Sequence, residues 1–270
     1  MSSLTRRKFI KNGVLASIGL VLLDSLWFEK YIIDWNYFDI SKNTENKIKI
    51  IQITDLHIDS IQYFHKSIAK KINRLKPDLV FITGDSVDKT EKIKALNEFL
   101  KLIDHSIQKY AITGNWEYWG DVNLSELKET YSNNNCILLI NENRNIIIRN
   151  REISIIGIDD FVGGTANFNK SIENLKQTNT NIVLSHCPEY RDVISKENRN
   201  INIDLVLSGH THGGQITLLG FAPFKPRGSG RYLKGWYKQT EPKMYVSKGV
   251  GTSMLPIRFG ARAEIVEIDI

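Results

Sequence analysis

Gly209-His210-Thr211-His212-Gly213-Gly214-Gln215 follows the apolar run Asp204–Ser208. This pattern predicts a strand that stops and hands over metal ligands. Successive strand residues alternate faces, so His210 and His212 are expected to point the same way. Gly209, Gly213 and Gly214 would let the backbone turn sharply and come close to a bound ion or phosphate. The meaning of the string depends on what stands at the other strand ends.

Four further runs end in hard or borderline ligands. Asp55 and His57 follow Ile48–Ile53, Asp85 follows Leu79–Thr83, Asn115 follows Tyr110–Thr113 and His186 follows Ile182–Ser185. Segments with helical apolar spacing separate most of the runs, which predicts a layered α/β protein with largely buried strands. In open α/β sheets ligands gather outside the carboxyl ends of the strands. Asp55, His57, Asp85, Asn115, His186, His210 and His212 are therefore expected along one edge.

In this order, D-x-H, G-D, G-N, H and G-H-x-H resemble the calcineurin-like metallophosphoesterase superfamily over residues 47–270. The resemblance implies a four-layer α/β/β/α sandwich with two mixed β-sheets. It also implies a dinuclear centre in which the metals activate a water or hydroxide for in-line attack on phosphorus. Asp85 would bridge two metals, Asp55, His57 and His212 would complete one site, and Asn115, His186 and His210 the other. A bridging carboxylate holds two cations ~3.5–4 Å apart against a phosphate ester. Imidazole with carboxylate suits Mn, Fe or Zn. Asp85 and Asn115 are thus expected to serve the chemistry directly.

The chain departs from the family at Gly114-Asn115-Trp116-Glu117, where most members carry histidine at the position of Trp116. An indole offers one N–H donor and no general acid at neutral pH. Trp116, taken as a catalytic-site and substrate-contacting residue, is expected to favour phosphodiester or pyrophosphate bonds, whose leaving groups need less protonation. Arg258 and Arg262 are candidates to hold a substrate phosphate by forked hydrogen bonds. Asp59 and Glu117 are candidates to hydrogen-bond a ligand histidine, with a solvated loop carboxylate the equal alternative for Glu117. The loop Leu218–Tyr237 is expected to form a rim, with Phe221, Phe224 and Trp236 suited to a lipid-like substrate. His65 and His105 match no motif and are expected to be surface or packing residues in helical segments.

The 270 residues, 41% hydrophobic and 24% charged, accommodate one substantial domain and a short appendage. Arg6, Arg7, Lys8 and Lys11 account for four of the six net positive charges, which argues against a basic nucleic-acid-binding face. The two cysteines, Cys136 and Cys187, are expected to be free thiols. Residues 1–40 are expected to form a separate N-terminal unit ahead of a catalytic domain at 41–270. Thr5-Arg6-Arg7-Lys8-Phe9-Ile10-Lys11 resembles a bacterial twin-arginine export signal, which implies the export machinery as a partner. The apolar stretch Gly13–Leu23 is too short to span a bilayer unaided. No small-x-small cleavage site follows it, and Leu26, Trp27, Phe28, Tyr31, Ile32, Ile33, Trp35, Tyr37 and Phe38 suit a membrane interface. These features predict an uncleaved anchor in a membrane-associated bacterial phosphodiesterase, exported or facing the cytoplasm. UDP-2,3-diacylglucosamine, substrate of one related group, is the sharpest substrate expectation. A phosphomonoesterase and a non-catalytic metal-binding envelope module are the alternatives.

Overall fold

The computed structural model describes residues 5–41, 46–176, 178–197, 201–218, 220–239 and 241–270. The first four residues of the expected N-terminal unit, and Leu219 of the rim, lie outside these. Twelve strands among the described residues form two six-stranded sheets.

The first sheet joins β1 (Asp34–Asp39), β12 (Glu264–Asp269), β2 (Lys49–Ile53), β3 (Leu79–Thr83), β4 (Gln108–Ile112) and β5 (Cys136–Leu138), in that order. Its β2–β5 run is parallel, and β12 lies antiparallel to β2. The second sheet joins β10 (Gly235–Tyr237), β11 (Met244–Val246), β9 (Leu205–Ser208), β8 (Thr180–Leu184), β7 (Arg151–Gly157) and β6 (Glu142–Ile148). Its four inner strands are parallel and both edge strands antiparallel. Both sheets are mixed, as the resemblance implied.

Pleating divides each strand between two cores. Leu79 and Phe81 face the second sheet, where they meet Ile155, Ile182, Leu184 and Leu207. Val80 and Ile82, one residue out of phase, face helices α3 (Tyr63–Leu75), α4 (Ile93–Leu102) and α6 (Leu124–Ser132). Ile68, Ala69 and Ile72 in α3, and Leu96, Phe99 and Leu100 in α4, recur at helical spacing and cover that face. On the far side, Ile156, Val183 and Val206 meet Phe168 of α7 (Phe168–Ser171) and Ile194 of α8 (Tyr190–Glu197). The result is the four-layer α/β/β/α sandwich. Strands buried on both faces read as unbroken apolar runs, which is why β3 and β8 stand out in the sequence.

The N-terminal segment departs from expectation in two ways. Helix α1 (Arg6–Leu23) does not stop after eleven apolar residues. It continues through a π-helical turn, Asp24–Phe28, into α2 (Glu29–Tyr31), giving a 26-residue helix long and apolar enough to cross a membrane by length and composition. The boundary at residue 40 also moves. Asp34–Asp39 is β1, which pairs in parallel with β12 and so belongs to the sandwich that follows. Trp35 packs on the helix-side core with Lys71 over its ring, and Phe38 packs against Trp236 and Tyr245 between the sheets. These two aromatics are core residues rather than membrane-interface residues.

Cys136 and Cys187 are buried free thiols. His65 is buried in α3, whereas His105 stands in a turn before β4 rather than in a helix.

Candidate metal centre

Five strands, β2, β3 and β4 of one sheet and β8 and β9 of the other, end at one edge, and the loops leaving them converge. Asp55, His57, Asp85 and His212 offer ligand atoms that all lie within 4.8 Å of one another. Asp85, His186 and His210 form a second such group, so Asp85 belongs to both. The two histidines of Gly209–Gln215 are divided between the groups.

That division corrects the same-face expectation. The chain beyond β9 is not extended: His210 and His212 adopt left-handed backbone, with φ of 72° and 49°. The His212 ring stacks on His57 at 5.1 Å, while the His210 ring meets His186 edge-on at 5.1 Å. Gly209 allows the turn to approach β2, since a β-carbon there would stand 2.4 Å from an Asp55 carboxylate oxygen. The Asp55 carboxylate in turn accepts the His210 backbone N–H.

Hydrogen bonds fix which nitrogen each ring presents. His57 Nδ1–H donates to Asp88 at 2.6 Å and His186 Nδ1–H to the Thr83 carbonyl at 2.7 Å. Both rings therefore aim Nε2 inward. His57 Nε2 lies 3.2 Å from His212 Nε2, and His186 Nε2 lies 3.2 Å from Asp85 Oδ2 with no hydrogen-bond partner. His210 Nε2–H donates to the Arg227 carbonyl, which leaves Nδ1 facing Asn115 Oδ1 at 2.8 Å. Ring nitrogens and an amide oxygen turned inward, in a buried cluster with two carboxylates, are donor types that suit shared cations. Burial depresses the pKa of His210 and, more strongly, of His212, with His186 and His57 adding to it respectively. Both stay neutral, the form that ligates metal. Burial opposes protonation of His57, but Asp88 and Asp85 outweigh it and lift the pKa to about 8. Burial likewise opposes ionisation of Asp85, yet His186 holds its carboxyl well below the usual range.

Glu117 is neither a histidine partner nor solvated. It is buried, and its carboxylate accepts the backbone N–H groups of Gly114, Asp85, Ser86 and Val87. It thereby clamps the loop after β3 to the loop after β4. Burial, with the neighbouring Asp85 charge, lifts its pKa to about 7. Asp59 points away and pairs with Lys92. The carboxylate on His57 is instead Asp88, three residues beyond Asp85 in Gly84-Asp85-Ser86-Val87-Asp88, a spacing the sequence shows without saying which histidine it meets.

The arginine expectations are not met. Arg258 is fully buried and spends its guanidinium on the carbonyls of Lys248, Gly249, Gly251 and Ala261, leaving no fork for a phosphate. Its Nη2 also reaches to within 3.3 Å of His212 Nδ1, so it braces the loop behind that ring. Arg262 donates to the Ile32 carbonyl and lies over the Phe28 ring, away from the cluster. Trp116 does stand beside the site. Its backbone N–H donates to Asp85, its ring meets His57 edge-on at 5.9 Å, and its indole N–H donates to the Ser253 hydroxyl. Of the rim aromatics, Phe221 and Phe224 are exposed, but Trp236 packs between the sheets.

The sequence model of the calcineurin-like phosphoesterase family matches residues 48–214, from β2 through the Gly213–Gly214 turn. The chain belongs to this family. An uncharacterized metallophosphoesterase of Aquifex aeolicus is 31% identical over 90% of this chain and 90% of its own length. The uncharacterized metallophosphoesterase YkuE of Bacillus subtilis is 27% identical over 98% of this chain and 97% of its own. Among solved structures, a dimetal phosphatase from Danio rerio superposes with a TM-score of 0.51 at 10% identity, covering 83% of this chain and 99% of that one. The fold likeness extends to a sulfate thiohydrolase, SoxB, of Thermus thermophilus (TM-score 0.52, 11% identity), with 85% of this chain on 57% of that one. Family membership makes the chain a metal-dependent phosphoesterase, and the clustered side chains are groups that could hold the metal.

Proposed function

We propose that the protein hydrolyses a phosphodiester or pyrophosphate bond with two metal ions, one held by Asp55, His57, Asp85 and His212, the other by Asp85, Asn115, His186 and His210. The observation that carries this reading is the convergence of two ligand groups on one carboxylate, with the Asn115 amide oxygen against His210 and a buried, unpartnered His186 Nε2 turned inward. Bound ions would neutralise the phosphate and acidify the attacking water. Trp116 supports the choice of bond. It occupies the position of the family histidine, and its N–H is engaged by Ser253. No imidazole outside the ligand set lies near the cluster among the described residues, since His65 is buried in α3 and His105 lies before β4. Alkoxide leaving groups would depart unprotonated, which disfavours simple alkyl monoesters.

Purified protein loaded with Mn²⁺ should turn over bis-p-nitrophenyl phosphate faster than p-nitrophenyl phosphate. A clear preference for the monoester rejects the bond assignment. Asp85→Asn should abolish both activities, and unchanged hydrolysis in that variant rejects the metal-site assignment itself.

We also propose that the helix Arg6–Tyr31 remains attached and anchors the domain to a membrane. Supporting this, its C-terminal end is built into the domain: Ser25 and Glu29 accept backbone N–H groups from Arg258, Gly260, Ala261 and Ala263. A lipid-linked or nucleotide-linked envelope substrate follows as the class to search. A C-terminal alkaline phosphatase fusion reads the side. An active fusion places the domain outside the cytoplasm and removes UDP-2,3-diacylglucosamine, made on the cytoplasmic face, from consideration.

A further inference from the structure

Beside the metal cluster the chain presents an apolar and basic rim. Between Leu218 and Tyr237 stand Lys225, Arg227, Arg231 and Lys234, with no carboxylate. Ahead of the basic residues, Leu218 and Phe221 close a tight turn by mutual backbone hydrogen bonds. Leu218, Phe221 and Phe224 are 64%, 70% and 63% exposed. A second loop adds Met254 and Leu255, at 82% and 54%. Large apolar side chains so exposed, gathered in one region and rimmed by charge, mark a surface that meets something else.

Hydrogen bonds hold these loops together and to the cluster. The Gln215 side chain donates to the carbonyls of Ser253 and Leu255 and accepts the Ser253 N–H. The Arg227 carbonyl accepts from His210, and Ser253 accepts from the indole of Trp116. The rim therefore borders the reactive edge of the sheets.

The same loops are tied to the N-terminal helix. Phe259 exchanges backbone bonds with Gln215 and Thr217, and Lys234 donates to the Gly260 carbonyl. One or two residues away, Arg258, Gly260 and Ala261 donate to Ser25 and Glu29 at the helix end. At that end Leu26, Trp27 and Phe28 are 47%, 51% and 40% exposed. Helix α1 itself buries no residue against the domain. One connecting loop, 258–263, thus sets the rim at a fixed position relative to a helix of membrane-spanning length.

We propose that Phe221, Phe224, Met254 and Leu255, with Lys225 and Arg227, rest on a bilayer containing anionic phospholipid. The metal centre then opens toward phosphate groups at the membrane surface. Apolar tips would enter the boundary between headgroups and acyl chains, and the cations would pair with anionic headgroups. The orientation presupposes the anchor proposed above and adds to it the face that meets the lipid.

The native thiols are buried, so introduced cysteines can be labelled selectively with an environment-sensitive fluorophore. Phe221→Cys, Met254→Cys, Val14→Cys and Glu152→Cys are made in the full chain, Glu152 lying at the opposite end of the second sheet. Each is reconstituted into phosphatidylcholine vesicles with and without phosphatidylglycerol. At positions 221 and 254, spin-labelled lipid should quench the label, and iodide quenching should fall several-fold below that at 152. That protection should increase with phosphatidylglycerol. If the label at 14 is protected while those at 221 and 254 meet iodide as freely as the label at 152, the face is wrong and the anchor stands. Iodide access at 14 as well would overturn both. Protection indifferent to phosphatidylglycerol would overturn the role of the basic residues.

Discussion

His57 shows how little freedom each candidate ligand has. Its Nδ1–H is held by Asp88 at 2.6 Å, so Nε2 can only face Asp85 and His212. A carboxylate behind a ligating imidazole sets the tautomer and raises the basicity of the inward nitrogen, and its loss typically costs 10–100-fold in metal affinity or activity. Asp88→Asn should therefore weaken Mn²⁺ binding by about 10–100-fold in a calorimetric titration. Unchanged affinity would mean that His57 is oriented by packing alone. Asp88 also marks where a sequence stops being legible. The seven ligand candidates could be read because each ends a recognisable apolar run. Which carboxylate backs which histidine depends on a left-handed kink at His57, φ 42°, and on the path of the Ser86–Asp88 loop. Asp59, nearer in sequence, pairs with Lys92 instead. Arg258 misled differently: its donors go to four backbone carbonyls, partners that leave no mark in the residue pattern.

Among the elements, α3 carries a titratable group whose behaviour can be worked out separately from the metal cluster. At its N-terminus His65 Nδ1 accepts the Gln62 backbone N–H, the part a glutamine plays in a capping box. The ring is buried against Phe64 and Phe99, and burial lowers its pKa from 6.5 to about 4. The unfolded chain binds this proton more readily than the folded one, so stability rises with pH over that interval. The contribution is complete above the unfolded value of 6.5 and is lost as pH falls toward about 4. At about 1.4 kcal/mol per unit, the whole effect is about 3 kcal/mol. His65→Gln keeps an acceptor for the cap and removes the proton, so its urea-derived stability should fall less than that of the parent chain between these pH values. Equal slopes would locate the acid sensitivity elsewhere. Elements differed in legibility for a similar physical reason. The inner strands are buried on both faces and declare themselves, whereas β1 mixes aromatic and polar residues and pairs with β12 more than 220 positions away. Nothing local separates that pattern from an interfacial stretch, yet Trp35 and Phe38 pack in the domain.

For the whole molecule, the position of the candidate metal centre predicts how the layers depend on it. Asp55, Asp85 and Asn115 leave strands of the first sheet, while His186, His210 and His212 leave strands of the second. Polar contacts also join the sheets: the Gln52 amide donates to Thr83 beside it and to the Ser208 carbonyl across the interface, and the Tyr245 hydroxyl donates to Glu264. Apolar packing between the sheets is non-directional and tolerates small relative shifts better than a ligand set does. Metal bound at the strand ends would therefore fasten one sheet to the other at the edge where the chemistry occurs. It would also occupy a buried cluster of crowded imidazoles and carboxylates. A ligand that binds only the folded state at 1,000 times its dissociation constant adds about 4.1 kcal/mol of stability. Stripping the protein with a chelator should lower its thermal midpoint by several degrees, and Mn²⁺ should restore it in proportion to the logarithm of its concentration. Amide hydrogen exchange sharpens the test, because loss of metal should loosen the loops after β2, β3, β8 and β9 before it loosens β3 or β8 themselves. A chelator that leaves both the midpoint and those loops unchanged would mean that packing and hydrogen bonds fix the sheets without metal, and that the ligand edge is fully preformed without its ions.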